Sequence, residues 1–213
     1  LALPSAWLTA SGAVFDSSVA SRSFTLGNLL NSFSLPLADS AANPISLTVG
    51  NNGANSTFGG VISGSGSLTK AGSGTLTLTG ASTYSGGTTV SEGALATGVA
   101  GGLGTGPVTN DATLNLTAAN VTYTALGTSL AGTGTVNVTL NAGATNNNLN
   151  GDYSAFTGVW NVGVTGLGGK ATMNGADNAA ATLNILTNAA VLAAQPVTHH
   201  ASAFLYGGDT GES

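Results

Sequence analysis

Leucine and threonine alternate from Thr75 to Thr79, which places Leu76 and Leu78 on one face of a strand and the threonines on the other. The alternation then returns down the chain. It recurs as Leu114 and Leu116; Val121, Tyr123 and Ala125; Val136, Val138 and Leu140; Trp160, Val162 and Val164; and Leu183 and Ile185. Turn signals separate these short strands: Gly72 to Gly74, Gly86-Gly87, Gly101-Gly102, Gly104 to Pro107, Asn146 to Asn148 and Gly168-Gly169. From Val136 to Val162 and on to Leu183 the strands recur at about 20 to 26 residues, a period typical of solenoids. The interval from Leu76 to Leu114 is nearly twice as long, and a turn of chain carried by Thr88, Val90 and Leu95 fills it.

A coil that regains the same face at this period is a parallel β-helix, so the expected fold is all-β, a single-stranded solenoid. Composition supports it. Only 5% of residues are charged, against roughly 25% in an average soluble domain. Stacked rungs bring like residues together about every 4.8 Å, a spacing that suits Thr, Ser and Asn ladders and penalises stacked charges. The 33 glycines are expected to supply positive φ at the corners. With 42% hydrophobic residues and little charge, the chain is the reverse of a disordered one. The competing architecture is an antiparallel β-sandwich, whose core carries more large aromatics than the 6% found here. Residues Ala179 to Ala194 also fit a short helix, with Leu183, Leu186 and Ala190 on one side.

No Pro-rich stretch or charge run divides the chain, so residues 1–213 are read as one β-helical domain. The net charge of −5 and three scattered cations, Arg22, Lys70 and Lys170, leave no basic patch for nucleic acid or an anionic membrane. Cysteine is absent, which excludes disulfides and thiolate metal sites. The apolar stretch Ala179 to Val197 is interrupted by Asn184, Asn188, Gln195 and Pro196, so membrane insertion by this segment is not expected. The chain starts at Leu1 without a basic n-region, and any signal peptide is expected to have been removed or to lie outside it.

Catalytic signatures fail one by one. His199 and His200 are adjacent, so on a strand they point to opposite faces and share a metal ion poorly. GLGGKA around Lys170 has Val164 where a phosphate loop has its first glycine and Ala171 where it has Ser or Thr. GTSLA at Gly127 to Ala131 is no nucleophile elbow, and no glycine-rich calcium repeat is present. Asp16, Asp39, Asp111, Asp152, Asp177 and Asp209 are widely separated, and Arg22 is the only arginine, so no cluster for polysaccharide cleavage forms in sequence. No catalytic residue, metal or cofactor is therefore expected. The Asn-X-Ser/Thr tripeptides at Asn55, Asn115, Asn120 and Asn137 carry no weight in so Asn- and Thr-rich a chain.

The run from Phe58 to Leu95 closely resembles the autotransporter-associated β-strand repeat, also called the passenger-associated transport repeat. The residues that carry the likeness are Gly64 and Gly66, Leu68 and Lys70, Gly72, Gly74, Leu76 and Leu78, Gly80, Tyr84, Gly86, Gly87 and Thr88, then Val90, Gly93 and Leu95. The resemblance implies a right-handed β-helical passenger, exported across the outer membrane of a Gram-negative-type bacterium and displayed or released at the surface. It implies a repeat that serves folding and secretion and holds no active site. No alternating strands of a translocator barrel follow, so the sequence is expected to be a fragment or mature portion of a longer exported protein. Lys70 is expected as a solvated side chain near Glu92 across a rung, and Tyr84 as a cover over a rung edge. The expected roles are a stalk, adhesin or surface scaffold, or else a filament subunit whose open ends add a second copy end to end. Host or matrix glycans and proteins are the other expected partners, with Trp160 and Tyr84 as the aromatic candidates for sugar contact.

Overall fold

A computed structural model describes residues 6–9, 12–118, 122–123, 129–141, 147–165, 169–175, 181–185 and 189–193. These residues form strands and turns, with no helix among them. Two strands, β1 (Ala6–Thr9) and β2 (Gly12–Phe15), make an antiparallel hairpin. Every other strand pairing is parallel.

One long sheet stacks β3 (Ser23–Leu26), β5 (Ser46–Val49), β8 (Ser67–Lys70), β10 (Thr88–Val90) and β12 (Val108–Asn110). It continues through β15 (Ser129–Gly132), β17 (Asn147–Phe156), β19 (Gly169–Gly175) and β21 (Ala189–Ala193). A second sheet stacks β6 (Ser56–Phe58), β9 (Thr75–Leu78), β11 (Ala94–Thr97), β13 (Thr113–Ala118), β16 (Thr135–Asn141), β18 (Val159–Thr165) and β20 (Thr182–Ile185). On a third side β4 (Leu35–Pro36) pairs with β7 (Ile62–Ser63). Backbone bonds carry that side upward, from Thr83 N to Ile62 O and from Thr105 N to Tyr84 O. The short β14 (Thr122–Tyr123) lies beside β17. Consecutive strands thus alternate between sheets and pair with those one coil away, which makes a β-solenoid of about six turns and excludes the sandwich.

Register gives the rung length directly. In the second sheet Thr75, Ala94, Thr113, Thr135, Val159 and Thr182 are successive partners, at steps of 19, 19, 22, 24 and 23 residues. The coil carried by Thr88, Val90 and Leu95 does fill the long interval, for Leu95 sits between Leu76 and Leu114. The segment that also fitted a helix holds β20 and β21 instead: Trp160 aligns with Leu183, and Lys170 with Ala190. Neighbouring strands decide this, because an apolar run too short to declare its own period takes the conformation that completes the ladder.

The period-2 alternation sorts side chains inward and outward. Inside, Leu76, Leu95, Leu114, Val136 and Trp160 stack in one buried column, and Leu47, Leu68, Thr88, Val108 and Leu130 in another. Outside, Thr25, Thr48, Thr69, Thr89 and Thr109 align up the first sheet. On the second sheet, Asn115, Asn137, Asn161 and Asn184 form a ladder in which each amide nitrogen donates to the oxygen one rung below, at 2.9, 2.9 and 2.8 Å. The expected neutral ladders are therefore present.

Candidate functional site

The residues singled out in sequence occupy about one and a half coils, from the end of β7 to β11. Leu68, Leu76, Leu78, Val90 and Leu95 point inward and are buried. The glycines fall into two groups. Gly64, Gly72, Gly87 and Gly93 have φ between 62° and 94°, as the corner argument expected. Gly66, Gly74, Gly80 and Gly86 are needed for space: a methyl on Gly80 would collide with the Gly60 carbonyl, and one on Gly86 would lie 2.5 Å from the Gly66 carbonyl carbon. Stacked backbones approach too closely there for any side chain.

Lys70 departs from expectation. Its side chain is buried, not solvated, at 0% exposure. It follows Leu68 by two residues and so must face inward, in a column between Val49 and Val90. The ammonium lies under the corner that joins β8 to β9, donating to Ala71 O and Gly72 O at 2.7 Å each and to Glu92 O in the next coil at 3.2 Å. Glu92 is indeed its neighbour across the rung, and one of its carboxylate oxygens accepts from Gly72 N at 3.2 Å. Burial holds the Lys70 pKa below the ordinary lysine value, while the Glu92 charge opposes the shift. An amine committed to three carbonyls is poorly placed to act as a base or nucleophile.

Tyr84 is also a correction, because it fills the interior at 0% exposure and does not cover an edge. Its hydroxyl hydrogen-bonds Thr88 Oγ1, which donates in turn to Leu103 O at 2.9 Å. Burial pushes the phenol pKa up, partly offset by the Thr88 bond. Gly104 leaves room for this ring, since a methyl there would lie 2.9 Å from Tyr84 Cε1. Trp160 is likewise a core residue, with ring centroids 5.4 Å from Tyr153 and 5.6 Å from Phe156. Neither aromatic is available to stack on a sugar.

Two further acids, Asp39 and Asp111, sit at turns. Asp39 anchors an N-terminal turn: burial raises its pKa, but hydrogen bonds from Asn43 and Ala41 N and the Arg22 charge outweigh this and hold it low. Asp111 accepts from Thr133 N one coil on. No group of three or more metal-ligating side chains occurs among the described residues. Lys170 lies on β19; His199, His200, Asp177 and Asp209 lie outside the described residues. Sequence reasoning missed the buried polar positions Ser82, Thr97 and Asn110. For Thr97 and Asn110 the inward alternation after Leu95 and Val108 was the available signal.

The geometry is that of a structural coil closed by glycine corners, a lysine and a tyrosine. Residues 68–96 match the Passenger-associated-transport-repeat family model. The match begins ten residues later than the likeness read from sequence at Phe58 and ends one residue after Leu95. It spans β8 to β11 apart from the outermost residues, which is one full step of the solenoid plus its return. No curated protein and no solved structure matches the chain. The repeat and the β-solenoid together fit an autotransporter passenger, and that family suggests the cell surface or the extracellular space.

Proposed function

We propose that this chain is a non-enzymatic section of an exported bacterial passenger, serving as a stiff stalk, adhesin or scaffold at the cell surface. The observation that carries the reading is the position of the repeat: its lysine and tyrosine are consumed in holding one coil together. Both sheets meanwhile present neutral Thr, Ser and Asn ladders on their outer faces. A rod of paired rungs supplies reach and surface without a catalytic pocket. Adhesion to a glycan or protein would use those polar faces, since Phe24, Phe58, Tyr84, Phe156 and Trp160 are inside.

The test is export. With the chain fused ahead of an autotransporter barrel in a Gram-negative host, intact cells should expose it to antibody and to added protease. Retention in the periplasm of cells that export a control passenger would contradict the reading. A filament subunit is the second reading, favoured by the absence of charged residues on the sheet-end strands β3, β20 and β21. Concentration-dependent growth of fibres by light scattering would support it, and a monomer at high concentration would remove it.

A further inference from the structure

The coils are close to interchangeable in their apolar pattern. Ser46-Leu47-Thr48 in β5 and Ser67-Leu68-Thr69 in β8 are the same three residues in register. Leu76 meets Leu95 now, and would meet Leu114 equally well if one coil were looped out and β9 stacked on β13. Backbone ladders do not distinguish these pairings, because every rung offers the same donors and acceptors. Something must make the correct neighbour better than the next one.

The corner at Lys70 is specific to its neighbours on both sides. Above it, Lys70 Nζ donates to Glu92 O, Gly72 N donates to Glu92 Oε2, and Ser91 Oγ donates to Lys70 O at 2.9 Å. The equivalent corner one coil further is only Asp111-Ala112, with no serine or glutamate in those places. Below it, Gly50 leaves space for the lysine stem, since a methyl there would lie 3.3 Å from both Cε and Nζ. A coil that skipped a neighbour would set Lys70 beside Asn110 and Asp111, without the Ser91 hydroxyl and the Glu92 carbonyl and carboxylate that its corner engages now.

We propose that Lys70 is a register pin, tying its own corner to that of the following coil and so fixing which coils become neighbours when near-identical rungs stack. Buried polar groups of this kind act on specificity more than on stability. The inference does not depend on what the rod does outside the cell.

The test is hydrogen exchange by mass spectrometry on purified chain refolded from denaturant, comparing wild type with Lys70→Met, which keeps an unbranched stem of similar length. For wild type, peptides spanning 80–100 should show one protected isotopic envelope. Lys70→Met should keep a denaturation midpoint equal to or above wild type, yet split that envelope into two, the second exchanging faster where the coil is looped out. A single protected envelope in Lys70→Met, or two envelopes already in wild type, overturns the proposal. Should Lys70→Met give no folded population, Lys70→Leu, which also removes the donors and sits in a column between Val49 and Val90, carries the same comparison with the same readings.

Discussion

The coils around the repeat and those beyond Ser129 solve the same closure problem differently. Near the repeat, strands are three or four residues long and steps are 19 to 21 residues. The corner from the first sheet to the second takes six residues at 50–55, four at 71–74 and three at 91–93. It takes two at 111–112, 133–134 and 157–158. The strands then reach seven residues in β16 and β18, and ten in β17. Wide corners leave more carbonyls turned away from the ladder, and Lys70 donates to two of those in its own corner, Ala71 O and Gly72 O. At the tight corner 111–112 the same column holds buried Asn110, whose amide donates to Thr135 O at 3.0 Å, and the longer coils beyond are filled by Tyr153, Phe156 and Trp160. A shift in register between β15 and β17, where Ser129 faces Asp152 but Ala131 faces Ala155, marks the change. The corner of the repeat is thus closed by a buried ammonium and the 111–112 corner by a buried amide, whereas the coils beyond Ser129 are filled by bulk.

If that contrast holds, the largest loss should come from the bulk of the later coils. Trp160→Ala should cost about 3–5 kcal/mol, read as a fall in the urea midpoint. Next comes backbone crowding in the repeat. Gly80→Ala, whose methyl would meet the Gly60 carbonyl, should cost about 1–3 kcal/mol, while Gly98→Ala, with its nearest contact at 3.6 Å, should stay within about 0.5 kcal/mol. Equal effects at the two glycines would show that close stacking does not limit the repeat. The smallest effect concerns Lys70 and pH. Its folded pKa lies below the unfolded value of 10.5, so between the two the unfolded chain binds more protons and stability rises with pH. Wild type should therefore gain stability relative to Lys70→Met as pH approaches 10.5. Thermal denaturation of the pair across alkaline pH checks the sign, and a relative loss would contradict it.

Much of this architecture was legible because a solenoid writes its contacts locally. The alternation of Leu76 and Leu78 named the buried face, and the return of that pattern at Leu114, Val136 and Trp160 named the column. The Lys70 environment was not legible for a related reason. Alternation after Leu68 places position 70 inside, but a lysine on a sparsely charged chain reads as solvated unless the corner carbonyls that receive it are known. Tyr84 was misplaced because no regular strand carries it, so period gave no inward or outward assignment. The likeness of residues 58–95 to a known repeat located the right coil, but the crowding around its glycines, positive-φ Gly72 and Gly93 included, needed the stacked backbones.

The central claim is that successive coils pair in parallel and in register. The chain contains no cysteine, so pairs introduced on the outer face report it cleanly. Thr77 and Ala96 are register partners one rung apart, within disulfide reach, whereas Thr77 and Asn115 are two rungs apart. Mild oxidation of the Thr77→Cys/Ala96→Cys chain should give a rapid intramolecular disulfide, and Thr77→Cys/Asn115→Cys should give none. Cross-linking of the second pair in preference to the first would contradict the account.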